Sequence, residues 1–111
     1  MLKQWKRSLA LVGLAAAIGL TTLPQGEAGY EYKLAWMDCL RARAAALLAE
    51  DRPMLIAGDF NVCPTDEDLA PGALSATDAL VRAPSRAAFR TLLWLGLTDA
   101  VRALHPTGAQ Y

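Results

Sequence analysis

An α/β fold is predicted by three stretches of the chain. Residues 30–52 carry apolar side chains at helical spacing, Met54-Leu55-Ile56-Ala57 is an uninterrupted apolar run of strand length, and a second amphipathic segment follows Ser85. With 111 residues, of which 54% are hydrophobic, the chain suits one small domain with limited reserves of stability.

The first 28 residues differ from the rest. Lys3, Lys6 and Arg7 make a basic start, and residues 9–20, LALVGLAAAIGL, are uncharged and apolar. Gly26-Glu27-Ala28 places small residues where a signal peptidase could cut. The order resembles a secretory signal. As a membrane span it is too short, because crossing the hydrocarbon core takes roughly 20 apolar residues. Two readings stay open, an export signal and an accidental apolar terminus, and an apolar N-terminal helix is expected in either. The domains divide accordingly into a leader, residues 1–28, and a body, residues 29–111. Membrane contact is expected only if the leader functions.

In the body, Leu34, Met37, Leu40, Ala44, Leu47 and Leu48 recur at spacings of three and four, with Arg41 and Arg43 on the solvated side. A surface helix is expected there. Glu50-Asp51-Arg52-Pro53 breaks it, and the apolar run 54–57 suits a strand buried on both faces. Gly58 ends the strand, and Pro64, Pro71 and Gly72 keep residues 58–76 in a loop. Asp66-Glu67-Asp68 reads as a solvated turn or a helix start. Ser85 is a good N-cap for a helix running to Gly96, and Thr98-Asp99 caps a short last helix ended by His105-Pro106.

Net charge is zero, and residues 33–111 hold eight basic against nine acidic residues. Binding of a polyanion therefore needs a local patch or a metal ion, since the whole-molecule field offers no attraction. Cys39 and Cys63 form no CxxC pair and read as free, packed thiols of a reducing compartment.

The chemistry concentrates in MLIAGDFNVCPTD, residues 54–66. A side chain at the carboxyl end of a buried strand is held on a rigid element yet faces a crevice, where α/β sheets tend to bind ligands. Asp59 and Asn61 are two apart, so in an extended stretch they share a face. A carboxylate there can orient or deprotonate a water, or hold a divalent cation through oxygen. A neighbouring carboxamide can hold a phosphoryl oxygen without neutralising the base. The competing reading is an Asx-type turn, in which the same residues only shape the backbone.

The wider setting, YKLAWMDCLRARAAALLAEDRPMLIAGDFNVCPTDEDL followed by SRAAFRTLLWLGLTDAVRALHP and Tyr111, resembles the exodeoxyribonuclease III enzymes of the endonuclease/exonuclease/phosphatase superfamily over about residues 30–111. The resemblance implies a four-layered α/β sandwich, of which this chain holds a central-to-C-terminal part. It implies cleavage of double-stranded DNA at abasic sites or 3′ ends with Mg²⁺ or Mn²⁺, and a cytoplasmic protein of DNA repair. Carried onto this chain, it makes Asp59 the group that orients or deprotonates the attacking water beside the metal and Asn61 the one that holds the scissile phosphate, with both residues counted among the metal's ligands.

The departures bear on activity. The family's opening strand with a metal-site Asn, its Glu ligand and its final Asp-His pair have no counterpart here. At the family's active-site Tyr the nearest alignment gives Thr22. An incomplete, inactive nuclease is expected, and the alternative is a small exported or membrane-associated protein that retains a non-catalytic module of the fold. His105 is assigned a helix-end role. Arg82, Arg86, Arg90 and Arg102 are read mainly as a solvated helix face, and Trp36 and Trp94 as packing residues.

Overall fold

The computed structural model describes residues 10–11 and 26–107. Its elements in chain order are β1 (Ala10–Leu11), α1 (Gly26–Leu48), β2 (Met54–Leu55), a 3-10 turn (Asp66–Asp68), α2 (Ala83–Leu93) and α3 (Ala100–Leu104). Among the described residues the sheet has two strands, an arrangement smaller than a four-layered sandwich.

β1 pairs with β2 in parallel, Ala10 against Met54 and Leu11 against Leu55. The expected apolar N-terminal helix therefore does not include Ala10 and Leu11, whose extended backbone gives β2 a hydrogen-bonding neighbour. The rest of that expected helix, like Thr22 and Tyr111, lies outside the described residues. β2 is not buried on both faces as its composition suggests: Met54 is half-buried and Leu55 is 45% exposed. A parallel strand needs cover on each face, and the described helices do not close over Leu55. No helix among the described residues is long and apolar enough to cross a membrane.

α1 begins at Gly26, earlier than the apolar stripe alone suggests, and Gly26 takes φ +75°, a backbone that suits glycine. Its buried positions are Gly29, Tyr30, Lys33, Met37 and Ala44. Leu34, Leu40, Leu47 and Leu48 are half-buried, so the buried face is turned toward Lys33 relative to the leucine stripe. The helix ends where Asp51 adopts φ +53° and its N–H returns to the Leu48 carbonyl at 3.0 Å. Cys39 is exposed, contrary to its reading as a packed thiol, whereas Cys63 is buried; both are free.

α1 packs against α2. Burial of Met37 and Leu92 supplies much of the apolar contribution, about 1.5–3 kcal/mol for each such side chain. α2 starts at Ala83 with Pro84 in its first turn, not with Ser85 as N-cap. Proline fits the first turn because its missing N–H has no intrahelical partner there. Ser85 is thereby carried inside the helix and fully buried against α1. α3 follows its expected plan, with the Asp99 side chain accepting from the Arg102 N–H at 3.0 Å and His105 as C-cap. Trp94 stands at the end of α2 with 76% of its surface exposed, so it is not a packing residue, while Trp36 is half-buried.

Candidate functional site

Asp59 lies four residues beyond Leu55, past the carboxyl end of the parallel pair, and is exposed. Its Oδ1 accepts a hydrogen bond from the Asn61 backbone N–H at 2.8 Å. Asn61 takes φ +51°, a left-handed conformation that asparagine tolerates better than most residues. The two residues therefore do not share a face of an extended stretch. They form an Asx-type turn, with the carboxylate on the outside and the carboxamide half-buried. Between them Phe60 packs edge-on against Phe89 of α2, ring centroids 5.6 Å apart at 71°, which anchors the turn from below.

The loop is fixed again two residues later. Cys63 donates its N–H to the Leu80 carbonyl at 2.8 Å, accepts Arg86 Nε at its own carbonyl at 2.9 Å, and directs Sγ at the Thr65 carbonyl at 3.3 Å. Beyond it, Asp68 accepts from the Thr65 N–H at 3.0 Å and the Thr65 hydroxyl at 2.8 Å, and pairs with Arg102. Asp66 takes Arg86 Nη2 at 2.7 Å, and Glu67 lies 3.8 Å from Arg102. The acidic run is the short helix start its sequence allows: Asp66 and Glu67 stay exposed to solvent while pairing with Arg86 and Arg102, and Asp68, whose side chain is only 2% exposed, is held by Arg102.

Three of the four arginines are correspondingly paired and not simply a solvated face, while Arg90 keeps to that reading. Arg82 meets Glu27 through two hydrogen bonds of 3.1 Å and stacks 3.7 Å from the Tyr30 ring centroid, while Arg86 and Arg102 hold the acidic run. These contacts satisfy their charges internally, so they offer little to a phosphate backbone. Arg90 is exposed, and among the described residues it makes no ion pair. The Arg82 hydrogen bonds hold the Glu27 carboxyl below its ordinary value and push the guanidinium up.

A second cluster lies between α1 and α2. Lys33 Nζ donates to the Ala79 carbonyl at 2.8 Å and to Ser85 Oγ at 3.1 Å. Ser85 donates to the same carbonyl at 2.7 Å, and the Tyr30 hydroxyl lies 3.3 Å from its Oγ. Burial pushes the Lys33 ammonium down from its ordinary range, opposed by Asp78 and Asp59 and reinforced by Arg82. Sequence reasoning missed this cluster. Its signal was present: Tyr30, Lys33, Met37 and Ala44 fall on one helical face, so the lysine occupies a core position.

Among the described residues no three His, Cys, Asp or Glu side chains converge as metal ligands. His105 is exposed at the end of α3, apart from Asp59 in its hydrogen bonding. A family model described as endonuclease/exonuclease/phosphatase matches residues 7–108, a span that includes β1. No curated protein and no solved structure matches the chain.

Proposed function

The chain belongs to the endonuclease/exonuclease/phosphatase family, and from that membership we propose that it carries one active-site segment of an exodeoxyribonuclease III-like DNA-repair nuclease. Members of the family are hydrolases, typically dependent on a divalent metal. In this reading Asp59 orients or deprotonates the water that attacks a DNA phosphodiester, and Asn61 steadies the scissile phosphate as charge builds on it. The observation that carries it is the exposed Asp59 carboxylate, held beyond the carboxyl end of β2 by a bond to Asn61 and by the Phe60 anchor.

The donor set does not fit a self-sufficient Mg²⁺ or Mn²⁺ site. Such ions favour near-octahedral oxygen ligation, and the loop brings one carboxylate and one carboxamide, with one Asp59 oxygen already accepting the Asn61 N–H. Asp59 and Asn61 therefore act as part of a larger ligand set. The 111 residues alone are expected to cleave no abasic-site or 3′-end DNA, even with either ion in excess. Double-stranded DNA is the substrate of this reading, and Arg82, Arg86 and Arg102, already paired with Glu27, Asp66 and Asp68, are not the groups that hold its backbone. The reading also places the protein in the cytoplasm.

The test replaces the matching segment of a complete exodeoxyribonuclease III with residues 30–111 of this chain. The chimera is expected to cut abasic-site DNA, and Asp59→Asn within it to lower the rate by about 10²-fold or more, as for loss of a positioned base. An Asp59→Asn chimera that cuts as fast as its parent reduces residues 58–61 to a turn.

A further inference from the structure

We infer that Lys33 is a positioning residue for the loop that bears Asp59 and Asn61, acting through Ala79 and Ser85. Its functional importance rests on the proposed role of that loop; the positioning itself does not.

A lysine on the buried face of a helix is costly, because its ammonium leaves water. Lys33 is 9% exposed and makes no ion pair among the described residues; neutral oxygens receive it instead. These oxygens belong to two segments. Ala79 lies in the connection before α2, and Ser85 lies in the first turns of α2 itself. The residue after each of them holds Cys63: Leu80 accepts the Cys63 N–H, and Arg86 donates to the Cys63 carbonyl. One buried ammonium thus ties α1 to both segments that grip the exit of the Asp59–Asn61 turn.

The charged and titratable groups that act on the ammonium agree with this placement. Tyr30 flanks it on α1 with its ring centroid 5.8 Å from Nζ and Arg82 stacks on the same ring; burial and Arg82 disfavour its charge, and the Asp78 and Asp59 carboxylates oppose them. Lys33 is therefore linked to the site by hydrogen bonds and by field. A leucine or methionine would fill the same helical position and supply neither.

The experiment is hydrogen–deuterium exchange of the full chain, read by mass spectrometry on peptides covering residues 60–66, 77–82 and 40–48. In Lys33→Met, exchange in 60–66 and 77–82 is expected to quicken by about tenfold or more, the size of a lost charged hydrogen bond, with 40–48 unchanged. Lys33→Arg keeps cationic donors and is expected to return 60–66 to within about threefold of the parent, a rescue that mere filling of space would not give. Exchange in 60–66 that stays at the parent's rate in Lys33→Met overturns the inference, and so does an arginine variant as fast as the methionine one. If Lys33→Met does not fold, the parent in low urea decides. Residues 60–66 and 77–82 opening together support the inference, and 60–66 opening while 77–82 stays closed overturns it. Exchange is measured without turnover, so a failed Asp59→Asn test in the chimera would leave this result standing.

Discussion

Arg86 and Cys63 are joined by a 2.9 Å hydrogen bond from the guanidinium Nε to the backbone carbonyl, two residues beyond Asn61. The same guanidinium reaches Asp66, so one side chain of α2 spans the descending half of the loop. Asp66 is largely exposed, which leaves the ion pair worth little, whereas the bond to the partly buried Cys63 carbonyl is made by a charged donor. Arg86→Met is therefore expected to lower stability by about 1–3 kcal/mol in urea denaturation. Asp66→Asn should change it by less than about 1 kcal/mol. Equal losses would assign the clamp to the ion pair.

Asn61 offers a way to separate turn from chemistry. The bond to Asp59 uses the Asn61 backbone N–H, and φ is +51°, so glycine keeps both while removing the carboxamide. Asn61→Gly is expected to leave stability nearly unchanged, whereas Asn61→Ala should cost about 1–2 kcal/mol. In the chimeric nuclease, Asn61→Gly should lower cleavage by about tenfold or more if the carboxamide holds phosphate. Full activity in the glycine variant would assign Asn61 to backbone shape alone.

The Glu27–Arg82 pair sets a pH dependence. Glu27 has its folded pKa depressed by the Arg82 hydrogen bonds, below an ordinary value of 4.5. Its contribution is present in full above that ordinary value and is lost as pH falls through the lower folded one. Thermal melts from pH 6 downward should show the parent losing its advantage over Glu27→Gln in that acid window. An advantage that stays constant to pH 2 would show that the charge of Glu27 contributes nothing.

Leu92 and Trp94, two residues apart, should respond in opposite ways. Leu92 is 3% exposed and Trp94 76%. Leu92→Ala is expected to cost about 2–5 kcal/mol, while Trp94→Ala should stay within about 0.5 kcal/mol. Chemical denaturation midpoints check both, and a comparable loss at Trp94 would mean that its indole is covered in solution.

Deleting residues 1–25 keeps α1 whole and removes β1. β2 then loses its hydrogen-bonding neighbour at Met54 and Leu55. A lower melting temperature and increased light scattering are expected, because an unpaired strand edge invites other chains. Unchanged melting and scattering would show that β1 contributes nothing to the fold in solution.

The sequence made the order of elements legible where local signals were strong. The helical spacing before residue 48, the breaker around Pro53 and the Asp99 cap all appear where residue type demands them. It misled where a residue had a better partner far away. Ser85 reads as an N-cap, yet its hydroxyl is taken by Ala79 and Lys33, and Pro84 opens the helix instead. Arg86 and Arg102 read as solvated because their partners lie 20 and 34 positions earlier, beyond any periodic pattern. Asp59 and Asn61 were legible as residues, but their geometry was not: strand spacing suggests a shared face, and the short reach from carboxylate to N–H makes the turn instead.

The parallel pairing of β1 with β2 also governs timing. Ala10 finds Met54 only after all of α1 has been made. A ribosome adds about 5–20 residues per second, so β1 waits seconds for its neighbour while the nascent chain lengthens. Throughout that interval Ala10 and Leu11 have no strand to join, so the ladder is among the last contacts of this region to close.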